Sequence, residues 1–119
     1  MLEFSKQIER LPRLMDAADL RHRVISQNLA NVNTPGYHRL DVEFEKHLAS
    51  EMAGSTSGSE TDVKPEIVED NSGSMRADGN NVDVDREIGQ LNKNAILFQM
   101  YSQLLKSQFD TMKRAIEGP

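Results

Sequence analysis

The sequence predicts a mainly α-helical protein. Its long N- and C-terminal helices pack as a coiled-coil-like pair, and an irregular middle carries a short β-hairpin. Three observations predict this. Apolar residues recur with a seven-residue period over residues 11–32 and again over 84–116. The region between them keeps neither a helical nor a sustained strand period. Finally, "NTPGY" at 33–37 and "GP" at 118–119 supply hard stops where the two periods end. The chain therefore divides into an N-terminal helical segment (1–36), a loop region with short strands (37–82) and a C-terminal helix (83–119).

In the first segment Leu11, Met15, Ala18, His22, Ile25, Leu29 and Val32 alternate steps of four and three, and all but His22 are apolar. That is the spacing of a coiled-coil seam. Pro12 fits either a first helical turn, where its missing N–H costs nothing, or a kink after a short helix through Phe4 and Ile8. The last segment repeats the pattern with Val84, Ile88, Leu91, Ala95, Phe98, Ser102, Leu105, Phe109, Met112 and Ile116. Leu97, Tyr101 and Leu104 widen this stripe beyond what one partner helix covers, and a broad exposed apolar face marks a partner surface. Asp83 is placed to cap the helix, with Asp85 and Glu87 near its positive end and Lys113 and Arg114 near its negative end.

The middle reads differently. "EMAGSTSGSETD" at 51–62 has the composition of a flexible linker. "VKPEIVED" at 63–70 offers a short strand that Pro65 confines to an edge. "MRADGNNVDV" at 75–84 places an Asp78-Gly79 turn between short extended stretches, a hairpin signal. This region also holds the charge. Residues 51–82 carry two basic and seven acidic side chains, whereas the flanking segments balance, so the net −5 lies in the middle. Neither end offers a basic phosphate-binding footprint, which argues against nucleic acid as a partner.

With 119 residues, 37% hydrophobic content and no Trp, the chain has material for one modest domain with a thin core. Self-assembly or a partner would supply the missing burial. There is no Cys, hence no disulfide or thiolate metal site. Apolar runs are too short to span a membrane, and residues 1–20 mix charges throughout, so no cleaved signal peptide is expected.

"NLANVNTPGY" at 28–37 ends the first helix. Pro35 pushes Thr34 toward extended backbone, and Pro35-Gly36 suits the centre of a type II turn with Gly36 at positive φ. The helix should finish near Val32 or Asn33, with Asn33 able to take a left-handed C-cap. Asn28 and Asn31 share one side of the last turn, where their amides reach carbonyls or a neighbouring chain. One reading is a well-punctuated helix end. The other is a recognition corner, since three amides exceed what one helix end requires.

"SQNLANVNTPGY" at 26–37 resembles the N-terminal signature of the flagellar rod, hook and hook-associated axial proteins, with Asn28, Ala30, Asn31, Thr34, Pro35, Gly36 and Tyr37 matching. Asp41 and Phe44 after the Tyr, and residues 78–105, resemble the proximal-rod branch of the flagellar basal body rod protein family. The resemblance covers both ends, about two thirds of the chain, and its specificity lies in the combination. It implies a structural subunit whose paired terminal helices form the inner layer of a helical tube. Implied partners are copies of itself, other rod proteins, the membrane-anchored ring or rod-adaptor protein at the rod base, and the flagellar type III export apparatus. Implied too is a location in the periplasmic rod, reached without signal cleavage. The expected assembly residues are Ile25, Asn28, Leu29, Ala30, Asn31, Thr34, Pro35, Gly36 and Tyr37, with Ile88, Leu91, Ala95, Phe98, Leu105 and Phe109 on the stripe.

No catalytic constellation, cofactor motif or metal motif is read in the sequence. His38 and His47 lie nine apart without a paired-histidine or H-E-x-x-H pattern, and His22 at the seam reads as a packed, hydrogen-bonded side chain. Asp41, Glu43 and Glu45 alternate as a solvated face. "DGNNVDVD" at 78–85 lacks the spacing and terminal Glu of a calcium loop. Met100 and Met112 read as adaptable core filler. The expectation is therefore a structural assembly protein rather than an enzyme. The alternatives are another small rod protein of the same family, or a cytoplasmic coiled-coil adaptor or export chaperone.

Overall fold

A computed structural model describes residues 2–54 and 63–118. Five elements follow in order: α1 (Leu2–Ala30), β1 (Leu40–Glu43), α2 (Glu45–Met52), β2 (Glu66–Glu69) and α3 (Val84–Glu117). The molecule is an elongated plate of 64 × 33 × 15 Å. The two long helices run antiparallel. Gln108 reaches Gln7 at 3.0 Å near one end, Asn94 donates to the Ala18 carbonyl at 2.7 Å, and Glu87 meets Asn28 at 3.2 Å at the other. Pro12 lies inside α1, so it does not sit in a first turn; the stretch through Phe4 and Ile8 is helical, but it is continuous with the rest of α1 rather than a separate short helix.

The predicted seven-residue period is present, but its phase shifts by one residue on α3. The face turned to α1 carries Glu87, Asn94, Tyr101 and Gln108, seven apart, flanked by half-buried Leu91, Leu97 and Leu105. On α1 the buried positions are Leu11, Ala17, Ala18, Val24, Ile25 and Asn28, with Leu14 and Arg21 half-buried between them. His22 is exposed, not packed at the seam. The inward phase lets Glu87 and the amide N–H groups of Asn94 and Gln108 bond across the helix pair or to the corner. A buried polar group without a partner is costly. Turning them inward leaves Ile88, Ala95, Phe98, Ser102 and Phe109 outside.

Phe44, Leu48 and Ala17 form the buried cluster that docks α2 onto α1, with Leu14 and Val63 packed beside it. Arg13 stands over the Phe44 ring, 5.7 Å from its centroid, a cation–π distance. The small sheet is antiparallel, with Leu40 opposite Glu69 and Glu43 opposite Glu66. β2 lies within the stretch read as an edge strand. Its partner is residues 40–43, inside the 37–82 region expected to hold loop and short strands, rather than a stretch beside the Asp78-Gly79 turn. The Asp78-Gly79 turn forms, with Gly79 N–H bonding the Arg76 carbonyl at 2.9 Å, but no strands flank it. Extended segments there bond instead to the end of α1. The linker reading of 51–62 overlaps α2 through Met52, and residues 55–62 lie outside the described residues.

Candidate functional site: an asparagine clasp and an exposed helix face

The corner after α1 is closed by side chains from far along the chain. Pro35-Gly36 turns as expected. Gly36 has φ 75° and Tyr37 N–H bonds the Thr34 carbonyl at 3.2 Å, the closure of a type II turn. The C-cap differs from expectation. No non-glycine residue among those described has positive φ, so Asn33 does not take the left-handed form. The last carbonyls of α1 accept from the Asn31 and Val32 N–H groups, and side chains serve Gln27 again and the carbonyls of the corner that follows. Asn31 Nδ2 donates to the Gln27 carbonyl at 2.8 Å. Asn80 Nδ2 donates to the carbonyls of Asn31 and Thr34 at 2.8 and 2.9 Å, and Arg76 bonds the Val32 carbonyl.

Asn28 is fully buried and uses its whole amide. Its Nδ2 donates to the Leu40 carbonyl at 2.8 Å and to Glu87 at 3.2 Å. Its Oδ1 accepts from the Leu40 N–H and the Tyr37 hydroxyl, both at 2.9 Å. Burial, and then the negative charge of Glu87, raise the Tyr37 hydroxyl's pKa, which keeps it a donor. Asn81 works the other side of the same knot. Its Oδ1 accepts from the Arg39 N–H at 2.6 Å, and its Nδ2 donates to the Asp70 carbonyl at 2.7 Å.

A buried charge cluster lies beneath. Arg39 is 2% exposed and donates through Nε to Glu87 Oε1 at 2.6 Å, while its other arm bonds Asp70. Burial opposes the guanidinium's charge, but the hydrogen bond and charge of Glu87 outweigh it and raise its pKa. The Ser72 hydroxyl and N–H, followed by Arg39, hold the Asp70 carboxyl down at about 2. Glu45 lies at the surface, its side chain 41% exposed, but it is paired. Both its oxygens accept from Arg21, at 2.8 and 2.7 Å, and that pairing overrides burial to lower its pKa.

These placements sort the expected assembly residues. Ile25 and Asn28 are buried within the chain, and Leu29, Asn31 and Tyr37 are half-buried. Ala30, Thr34, Pro35 and Gly36 are exposed on the outer rim of the corner. On α3, Leu91 and Leu105 are half-buried, while Ile88, Ala95, Phe98 and Phe109 face outward, with Phe109 50% exposed. An open groove of about 430 Å³ between the helices is lined by Ala18, His22, Ala95 and Phe98 among others. Sequence reasoning missed Arg39, Asn80, Asn81 and the buried role of Glu87. A signal existed in "DGNNVDVD", where consecutive amides precede a helix start that Asp83 caps, accepting from the Asp85 and Arg86 N–H groups.

Residues 15–38 match the family model described as flagella basal body rod protein. The flagellar basal body rod protein FlgB of Bacillus subtilis is 32% identical over 97% of this chain and 96% of its own length. FlgB of Borreliella burgdorferi is 28% identical, covering 94% of this chain and 96% of the relative. FlgB of Salmonella typhimurium is 28% identical over 82% of this chain and 83% of its own. A signature that closes the corner by a built clasp, and a likeness running nearly end to end, together show that the chain belongs to the flagellar basal body rod protein family, on its FlgB-type branch.

Proposed function

We infer that this chain is a structural subunit of the proximal rod of the bacterial flagellar basal body, polymerising through its terminal helices. The observation that carries the reading is the α3 face. Phe98, Phe109 and Ile116 are 40, 50 and 79% exposed on a helix whose other face, bearing Glu87 and Asn94, is the one turned to α1. An apolar row of this extent has no use in an isolated chain and suits contacts with neighbouring subunits. A head-to-tail contact that does not close on itself generates a helical tube. Ile88, Leu91, Ala95, Phe98, Leu105 and Phe109 supply the stripe in this scheme. Ala30, Thr34, Pro35 and Gly36 present the corner's rim, while Ile25, Leu29, Asn28, Asn31 and Tyr37 hold that corner in shape. The chemistry of the site is packing, and its role is structural rather than enzymatic.

Partners follow from the same scheme: copies of this chain, other rod proteins, the membrane-anchored ring or rod-adaptor protein at the base, and the type III export apparatus that delivers subunits without signal cleavage. No helix among the described residues is long and apolar enough to cross a membrane. The test is deletion in the source bacterium, scored by electron cryotomography. Rings without rods are expected, rescued by the wild-type gene but not by Phe98→Glu combined with Phe109→Glu. The purified double variant should keep the wild-type helix content and melting temperature, because exposed substitutions cost within about 0.5 kcal/mol. Intact rods in the deletion strain would overturn the reading and favour the adaptor alternative.

A further inference from the structure

We propose that Glu43, His47 and Glu66 form a binding site for a divalent transition-metal ion, with Zn²⁺ as its probe. The three side chains come from the end of β1, the first turns of α2 and the start of β2. One ligand atom from each lies within 4.8 Å of the others. Glu43 and Glu66 are directly opposed in the strand register, so both carboxylates project from the same face of the sheet. Like charges held in that position repel unless something positive lies between them. His47 Nε2 faces them both, 3.4 Å from Glu43 Oε2 and 3.7 Å from Glu66 Oε2.

Those separations decide between a hydrogen-bonded histidine and a ligand. His47 Nε2 is sealed from solvent and makes no hydrogen bond. A ring nitrogen bonded to a carboxylate would sit nearer, at about 2.7–2.9 Å. Four ligands at about 2.0–2.1 Å from a tetrahedral Zn²⁺ stand about 3.3–3.4 Å from one another. The two His47 edges, 3.4 and 3.7 Å, lie near that spacing, and the third ligand pair is within 4.8 Å, so an ion would draw the carboxylates slightly inward. A neutral imidazole and two carboxylates give a site charge of −2, matched by one divalent cation, with a fourth position open to water. The sequence reading looked for paired histidines. It missed Glu43 and His47, which are four apart, because their third member comes from the partner strand. The ion would clip together the two ends of the chain segment 44–65 and fix α2 against β2. This inference rests on the sheet geometry alone and stands apart from the rod assignment.

The test uses the full chain, stripped with EDTA and titrated with ZnCl₂ by calorimetry, alongside melting followed by circular dichroism. The expected result is one Zn²⁺ per chain and a raised melting temperature. His47→Gln and Glu66→Gln should each weaken binding by about tenfold or more, at least the loss that even an outer-sphere ligand partner commonly carries. Glu66→Gln should leave the metal-free melting temperature undiminished, since it removes a repelling neighbour at an exposed strand position. That separates ligation from a merely structural role, and this variant carries the test if His47→Gln misfolds. No heat with the wild type, or undiminished binding in Glu66→Gln, would overturn the site. Calcium binding as tightly as zinc would overturn the metal class.

Discussion

Arg39 and Arg86 both reach Asp70, yet the two ion pairs do different work. Arg39 is held between two carboxylates with 3% of its side chain exposed, while Arg86 lies at the rim with 38% exposed. Removing one partner of a buried pair leaves a charge that water cannot reach, at a cost of about 3–5 kcal/mol. An exposed pair contributes less than about 1 kcal/mol. Glu87→Gln should therefore lower stability by about 3 kcal/mol, toward the low end because Asp70 still faces Arg39. Arg86→Gln should cost under about 1 kcal/mol. Urea denaturation of the two variants side by side checks the contrast, and equal losses would mean that the buried cluster is wetter than its geometry shows.

At the scale of elements, the clasp depends on two glycines that touch. Gly79 has φ 84°, and a Cβ added there would meet Gly36 Cα at 3.3 Å. Gly36 also has positive φ, but a Cβ on it would meet nothing within 4 Å. Left-handed backbone costs a residue with a Cβ about 1–2 kcal/mol. Gly36→Ala should cost that and no more, whereas Gly79→Ala adds a steric clash against backbone that has little room to move. The expected order of stability, measured by thermal melting, is wild type, then Gly36→Ala, then Gly79→Ala. A reversed order would show that the two turns do not meet as described.

This scale also shows what could be read from the sequence. Helix existence, the seven-residue period, the Asp83 cap and the Pro35-Gly36 turn are local properties, recorded within a few residues. The phase of α3 is not. Periodicity identifies an apolar face but does not say whether the chain covers it or leaves it for a neighbour. Here the chain covers the face bearing Glu87 and Asn94, whose partners lie on α1 and beside it. β1 is hard to read because "LDVE" alternates apolar and polar over only four residues, and it becomes a strand only by pairing with residues 66–69. The Asp78-Gly79 turn was legible and Arg76 bonds Asn80 across it, but Asp78 and Asn81 bond to Gly36 and Tyr37 at the corner instead of extending a hairpin.

Over the whole molecule, burial is uneven along the helix pair. Buried side chains concentrate toward the clasp end and the α2 contact, and among the described side chains none is buried before Leu11 on α1 or after Asn94 on α3. Local opening free energy follows buried contacts, so the far end should fray first. In hydrogen exchange of the monomer, amides in 4–9 and 109–117 should exchange at least about tenfold faster than those in 17–30 and 87–94. Uniform protection along both helices would contradict this picture and point to stable self-association under the conditions used.

The clasp also governs timing. Asn28 meets Glu87 across 59 positions, Asn80 reaches Asn31 across 49, and Arg39 pairs with Glu87 across 48. Contacts this distant in sequence form late, after the loop between them has closed. A ribosome that has released only the first seventy residues has made the lock but not the key. Such a nascent chain can already bond Asn28 to Tyr37 and Leu40 and pack Phe44 on Ala17, but it lacks the Asn80 and Glu87 side chains that close the corner. Closure of the corner is thereby deferred until the last third of the chain exists, and any factor that holds residues 78–94 apart from it keeps the clasp open.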